Sequence, residues 1–372
     1  MNQGIEQYKD CLKDLAFQPS ENGAHRISLN SQNQDPDSLL YNTDNPYGLD
    51  QEKIATSNAA RRLYRKSQAF FDIDNPNIHT RGIHTNEVAS IGVICSDWLG
   101  LNSQLVRAGA MGHDLGHGPG SHSMETALGE LNIPFHHERF GPIIASFIER
   151  EGDGLNLSQE TLKIMYEHSR GSGELTTKGA SFQEALIVMY ADKIASITGD
   201  ISDMQRQGVL SEDDYNIINT LLPGKRRNRI NQCISGLIQE SYSLKKVSFN
   251  ESEIAVKFSQ IKEIMYKYYN LLTRRSLTES IKSVYSAIDG IHQLENYDIS
   301  MLIALLSDNE LAELDHIHRN KRLNLDDLCQ FSIFEVIKAG FLENQTYTSL
   351  DQRISALVYP KLVDVTKKDS SL

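Results

Sequence analysis

The 372-residue chain carries only four cysteines, Cys11, Cys95, Cys233 and Cys329, and no two of them form a C-x-x-C pair. That argues against a disulfide framework and a cysteine-ligated zinc site, and it suits a reducing compartment. No run approaches the ~20 unbroken apolar residues that a bilayer span needs. The first fifteen residues, MNQGIEQYKDCLKDL, lack the apolar centre of a signal peptide. A soluble, cytoplasmic chain with no membrane partner is expected. Basic charge is also short, with 37 Lys and Arg against 49 Asp and Glu and a net charge of −12. Such a surface repels polyanions over most of its area, so nucleic-acid binding would need a local basic patch. Runs rich in Val and Ile at strand length are nearly absent, which points to an all-α fold.

What is present is enough to build a core. Hydrophobic residues make up 40% and charged residues 23%, ordinary for a globular protein of one large or two medium domains. The segment over 26–48 is polar and rich in Asn, Asp, Ser and Gln, and reads as an irregular connection after an N-terminal helix. From 49 onward apolar residues recur every three or four positions. Helices are expected at 51–68, 84–99, 103–113, 121–131, 136–151, 158–168 and 181–204, several with Asp, Asn or Ser near their starts. Further amphipathic helices follow at 213–222, 229–243, 251–273, 277–293 and 332–342. Three units result: 1–48, a core over 49–207, and a helical C-terminal extension over 208–372 that packs on the core or carries an oligomer interface. The basic turn PGKRRNR (223–229) reads as a solvated loop or a ligand site, and low complexity is confined to the last six residues, KKDSSL.

The chain has 12 histidines, and seven of them lie between His79 and His137 inclusive. Any one of them is explained as a structural histidine, and a His-Asp pair arises by chance. The combination of His84, His113-Asp114, His117, His122, His136-His137-Glu138 and Asp192 is harder to dismiss. A mononuclear metal site needs imidazole and carboxylate donors converging from separate elements. His113 and Asp114 close one expected helix, His84 opens another, and Asp192 lies inside a third. Nitrogen and oxygen donors without thiolate suit Mn²⁺, Mg²⁺, Fe²⁺, Co²⁺ or Zn²⁺. His122 and Glu125 sit three apart on one helix face, where the carboxylate would fix the imidazole tautomer. Asp192, Ser196 and Asp200 form a stripe at four-residue spacing.

This H…HD…D order resembles the HD-domain metal phosphohydrolases. The texts SNAARRLYRKSQAFF (57–71), HTRGIHTNEVASIG (79–92) and HDLGHGPGSHSMETAL (113–128) resemble the deoxynucleoside triphosphate triphosphohydrolases, the dGTPase-like group, over roughly 50–205. The resemblance implies an HD-domain helical core that hydrolyses a deoxynucleoside triphosphate to deoxynucleoside and inorganic triphosphate. It implies His84, His113, Asp114 and Asp192 as ligands of one divalent ion, Mn²⁺ or Mg²⁺ foremost, with Fe²⁺, Co²⁺, Zn²⁺ or Ni²⁺ compatible. It implies Arg81, Lys193, His117 and His137 as triphosphate contacts, with His117 also counted in the catalytic group. His122 resembles the catalytic histidine, Glu125 its orienting carboxylate, and Gln68 and Asp200 the contacts to the sugar 3′-hydroxyl.

Two positions depart from the family pattern. Residue 196 is serine in place of a phosphate-touching tyrosine, and residue 120 is glycine in place of phenylalanine, which should loosen the loop before His122. The substrate reading therefore keeps alternatives: an HD-type hydrolase of a nucleoside monophosphate or another phosphoester, or a nucleotide- or nucleic-acid-binding module with a vestigial metal site. The basic runs at 61–66 and 225–229 keep a single-stranded nucleic acid or a nucleotide effector open. Long apolar helices without an obvious second core, together with the resemblance, imply a homo-oligomer.

Overall fold

The computed structural model describes residues 6–18, 36–37, 40, 46–71, 75–169, 182–272 and 275–359. Most of the connection read over 26–48, and the last six residues, lie outside them. The described residues are helical with no β-strand, apart from one antiparallel bridge between Ser67 and Thr80. The all-α expectation holds. The described N-terminal stretch forms two short 3-10 turns, Glu6–Tyr8 and Lys13–Leu15.

The single helix expected over 51–68 is broken into pieces. Helix α1 (Pro46–Thr56) starts earlier, on a proline whose fixed φ suits the first helical position. Helix α2 (Asn58–Leu63) restarts after Ser57, whose side chain accepts from the Ala60 N–H. Glu149, distant in sequence, takes the Asn58 and Ala59 N–H groups at 2.9 and 2.8 Å. Residues 66–68 then run alongside 79–81, with Arg81 N donating to the Lys66 carbonyl and Gln68 N to that of His79.

Helices α3 (Arg81–Leu99), α4 (Ser103–Gly112) and α8 (Gln183–Arg206) pack against one another. Small residues permit the approach: a Cβ on Gly92 would stand 2.8 Å from Val106. Helices α5 (His122–Glu130), α6 (His137–Phe147) and α7 (Gln159–Glu167) complete this part of the chain. Beyond it come α9 (Glu212–Leu221), α10 (Arg226–Leu244), α11 (Glu253–Leu272), α12 (Arg275–Asp289), α13 (Ile299–Ala304), α14 (Asp308–Asn320), α15 (Ile333–Ala339) and α16 (Tyr347–Val358). The short α13, together with α14 and α16, was not expected from periodicity.

Two hydrophobic cores form, and each draws on residues from both sides of position 208. The first joins Leu63, Leu115, Met124, Phe140 and Met165 to Ile281, Leu302, Leu314 and Ile354. The second joins Val88, Leu105, Ile187 and Ile194 to Leu237, Phe258 and Met265. The chain leaves the second core at Ala110 and enters the first at Leu115. His113 and Asp114 sit on that crossing. The basic turn is partly spent inside the molecule: Arg226 forks onto Glu87 at 2.7 and 2.5 Å, and buried Arg229 donates to the Leu222 carbonyl at 3.0 Å.

Candidate active site

Thr80 caps α3 by accepting from the Ile83 N–H, which fixes Arg81 and His84 in its first turn. His113 ends α4, and its ring Nδ1 lies 2.7 Å from the Ala110 carbonyl. A ring nitrogen against a carbonyl must carry the proton, so Nε2 holds the lone pair. The following turn packs tightly, since a Cβ on Gly116 would stand 2.0 Å from the His137 carbonyl. Asp192 comes from α8.

These elements bring the four expected donors together. His84 Nε2 lies 3.1 Å from Asp192 Oδ1 and 3.7 Å from Asp114 Oδ2. His113 Nε2 lies 3.2 Å from Asp114 Oδ1 and 3.9 Å from Asp192 Oδ1. Burial would raise the Asp114 carboxyl, but His113, Arg81 and His117 beside it hold it well below the ordinary range. Asp192 is held down in the same way by Lys193 and His84. Burial keeps His113 below the ordinary imidazole value, hence neutral.

The His113 Nε2 atom is buried without a hydrogen-bond partner among the described residues. A lone pair facing two ionised carboxylate oxygens is unfavourable unless a cation lies between them. The donor set therefore fits a divalent ion, and His84, His113 and Asp192 converge closely enough to share one.

Beside this centre lies a second group. Glu125 is shared by two imidazoles: its Oε2 lies 2.6 Å from His122 Nδ1 and its Oε1 lies 2.8 Å from His137 Nδ1. Glu125 Oε1 also takes the His137 backbone N–H at 2.9 Å. Burial would raise the Glu125 carboxyl, but bonds to His122 and His137 hold it far below its ordinary value. The His117 ring stacks on His137 at 3.7 Å, and its Nε2 lies 3.3 Å from Asp114 Oδ1. Burial, with Arg81 and His137 nearby, holds His117 well below the ordinary imidazole value. Partial desolvation lowers His122 as well, with Glu125 opposing it; its side chain is 66% exposed.

The remaining expected residues are placed less centrally. Arg81 is largely committed, with Nη1 donating to Asp114 at 2.9 Å and Nε to Ser121 Oγ at 2.9 Å. Lys193 Nζ lies 3.8 Å from Asp192 Oδ2. Gln68 Oε1 and Asp200 Oδ1 are buried without partners among the described residues. Asp200 Oδ2 accepts from the Tyr269 hydroxyl of α11 at 2.5 Å, and burial pushes the carboxyl up to about 6. Ser196 Oγ donates to Asp192 Oδ1 at 3.2 Å, so it steadies a donor of the metal centre.

The loop before His122 is pinned, which corrects the looseness expected from Gly120. Gly120 takes φ +67° and its N–H donates to Asp308 at 2.9 Å, while Leu277 fills the space a Cβ would need. Asp308 also accepts the Ser67 N–H at 2.8 Å and the Ser67 hydroxyl. Buried Lys66 donates to the carbonyls of His117 at 2.5 Å and Ala304 at 2.8 Å. Sequence reasoning missed Lys66, Asp308, Ser121, Tyr269 and His168. Lys66 and Ser121 stand inside the quoted motifs; Asp308 and Tyr269 carry no local signal.

The HD domain family model matches residues 81–197. A deoxyguanosinetriphosphate triphosphohydrolase-like protein of Clostridium tetani is 34% identical over 59% of this chain and 64% of its own length. One of the same description from Clostridium perfringens is 35% identical over 59% of this chain and 65% of its own. A third, from Desulfatibacillum aliphaticivorans, is 39% identical over 44% and 48%. The chain thus spans about half to just under two thirds of the length of these curated relatives. The chain therefore carries an HD domain at residues 81–197 and is similar around it to these dGTPase-like proteins.

Proposed function

We propose that this chain is a divalent-metal-dependent phosphohydrolase that converts a deoxynucleoside triphosphate to deoxynucleoside and inorganic triphosphate. The observation that carries the reading is Glu125, one carboxylate that orients both His122 and His137 beside the His84, His113, Asp114 and Asp192 donors. Those four residues would hold the ion; when bound it neutralises phosphate charge and acidifies water. Manganese or magnesium suits the nitrogen and oxygen donors.

The chain's own residues then divide the work. His122 keeps Nδ1–H on Glu125, so Nε2 is the atom that exchanges a proton. Its pKa is lowered in the ligand-free site, and the negative charge of a triphosphate would raise it and load that proton. Passing it to the 5′-oxygen lets the deoxynucleoside leave, while Glu125 orients the ring throughout. His137 and His117, stacked together, face the phosphates with Lys193 and the uncommitted N–H groups of Arg81. Gln68 and Asp200 each offer an unpartnered buried oxygen for the 3′-hydroxyl, with Tyr269 holding Asp200 in place. Residues 208–372 would serve as a packing extension that supports this wall and a homo-oligomer.

Incubation with each of the four dNTPs and Mn²⁺, followed by ion chromatography, tests the proposal. Triphosphate and deoxynucleoside are the expected initial products. Pyrophosphate with a monophosphate would reverse the substrate's orientation, and orthophosphate would move the cleavage to the γ-position. One observation favours a second reading. With Ser196 turned onto Asp192, one distal phosphate contact is lost, which would suit a nucleoside monophosphate. Turnover of dNMPs in preference to dNTPs would select it.

A further inference from the structure

We propose that His168 is an additional protein donor to the cation held by His84, His113, Asp114 and Asp192. The proposal rests on the metal reading given above. His168 is 1% exposed, as enclosed as His84, His113 and Asp114. It repeats the local device that aims His113. His113 ends α4 with φ −57° and ψ −38°, and His168 ends α7 with φ −63° and ψ −38°. Each ring lies with Nδ1 2.7 Å from the carbonyl three residues earlier, Ala110 for one and Met165 for the other.

The consequence is the same tautomer in both rings. Nδ1 carries the proton and Nε2 presents a lone pair. Helices α4 and α7 lie close, with Gly109 leaving room for Ile164, so the two helix ends arrive at one place. The rings stand 4.9 Å apart at 82°, and His113, Asp114 and His168 form a buried group whose ligand atoms all lie within 4.8 Å of one another. No described residue takes the His168 Nε2 lone pair. A helix cap alone needs only the Nδ1–H and does not account for the place of this ring beside His113 and Asp114. A cation does.

His168→Asn separates the two roles. Its amide N–H can replace Nδ1–H on the Met165 carbonyl, but it brings no donor where Nε2 stood. Mn²⁺ alone is titrated calorimetrically into wild type, His168→Asn, His168→Ala and His113→Ala, and pulsed EPR counts imidazole nitrogens on the bound ion. Three imidazoles are expected in wild type and two in His168→Asn, with Mn²⁺ affinity falling about tenfold or more. Two imidazoles in wild type, or unchanged affinity in a folded His168→Asn, would overturn the proposal while loss of binding in His113→Ala left the metal centre standing. Unchanged binding in His113→Ala would instead sink the centre itself, and this inference with it.

Discussion

At the scale of single residues, the proposed chemistry turns on His122 and Glu125. Their i, i+3 spacing at the start of α5 was visible in the sequence, and the 2.6 Å contact follows from it. The second partner of Glu125 was not visible, because His137 reaches it from another helix, twelve residues on. A general acid is typically worth ~10²–10⁴-fold in rate. His122→Ala should lose activity by about that factor with Mn²⁺ content and substrate KM little changed. Steady-state kinetics with elemental analysis check this, and a loss below threefold would remove His122 from the chemistry. The proposed metal donors were legible because four residues of two types, His and Asp, carry the pattern in a fixed order. His168 was not, since a lone histidine closing a helix looks like any cap. Its twin geometry with His113 emerges only when α4 and α7 are set side by side.

At the scale of elements, the turn between α4 and α5 that carries His117 is held from outside the HD domain. Asp308, the first residue of α14, accepts from Gly120 and Ser67, while Lys66 ties the His117 carbonyl to that of Ala304. Burial pushes the Lys66 ammonium down to about 7. The Ser307–Glu310 capping box that begins α14 is written locally in the sequence, S-x-x-E, yet nothing local says that Asp308 faces residue 120. The break between α1 and α2 was hidden for a similar reason: Glu149 supplies the N-terminal acceptor from a distant helix end. Asp308→Ala would leave buried N–H groups unpaired, at a cost of ~2–4 kcal/mol. It should lower kcat more than it raises KM, because the loop carries His117 and His122. Denaturation curves and kinetics on one preparation decide; wild-type stability and kcat together would contradict the clamp.

At the scale of the whole molecule, both cores cross position 208, so the C-terminal helices are part of what shapes the site. Sequence periodicity found most of those helices but not their partners, since pairing between amphipathic faces has no local code. Among the described residues no helix is long and apolar enough to cross a membrane. One charged network joins the halves: His79 contacts Asp203 of α8 at 2.8 Å and Glu87 of α3 at 3.4 Å, and Glu87 receives Arg226 of α10. Burial would lower the His79 imidazole, but Asp203 and Glu87 raise it to about 9 against an ordinary 6.5. A raised folded-state value stabilises fully below pH 6.5, and that contribution fades as pH climbs through about 9. The stability difference between wild type and His79→Gln should therefore shrink by on the order of 2–3 kcal/mol from pH 6 to 10. A difference that stays flat across that range would mean the network does not hold His79 protonated.

In the proposed reaction water attacks the α-phosphorus and the 5′-oxygen leaves with the proton of His122. Hydrolysis of dGTP in ¹⁸O-enriched water, with mass spectrometry of both products, tests it most directly. One ¹⁸O is expected in the inorganic triphosphate and none in the deoxynucleoside. Label in the 5′-hydroxyl, or in a released monophosphate or orthophosphate, would contradict it.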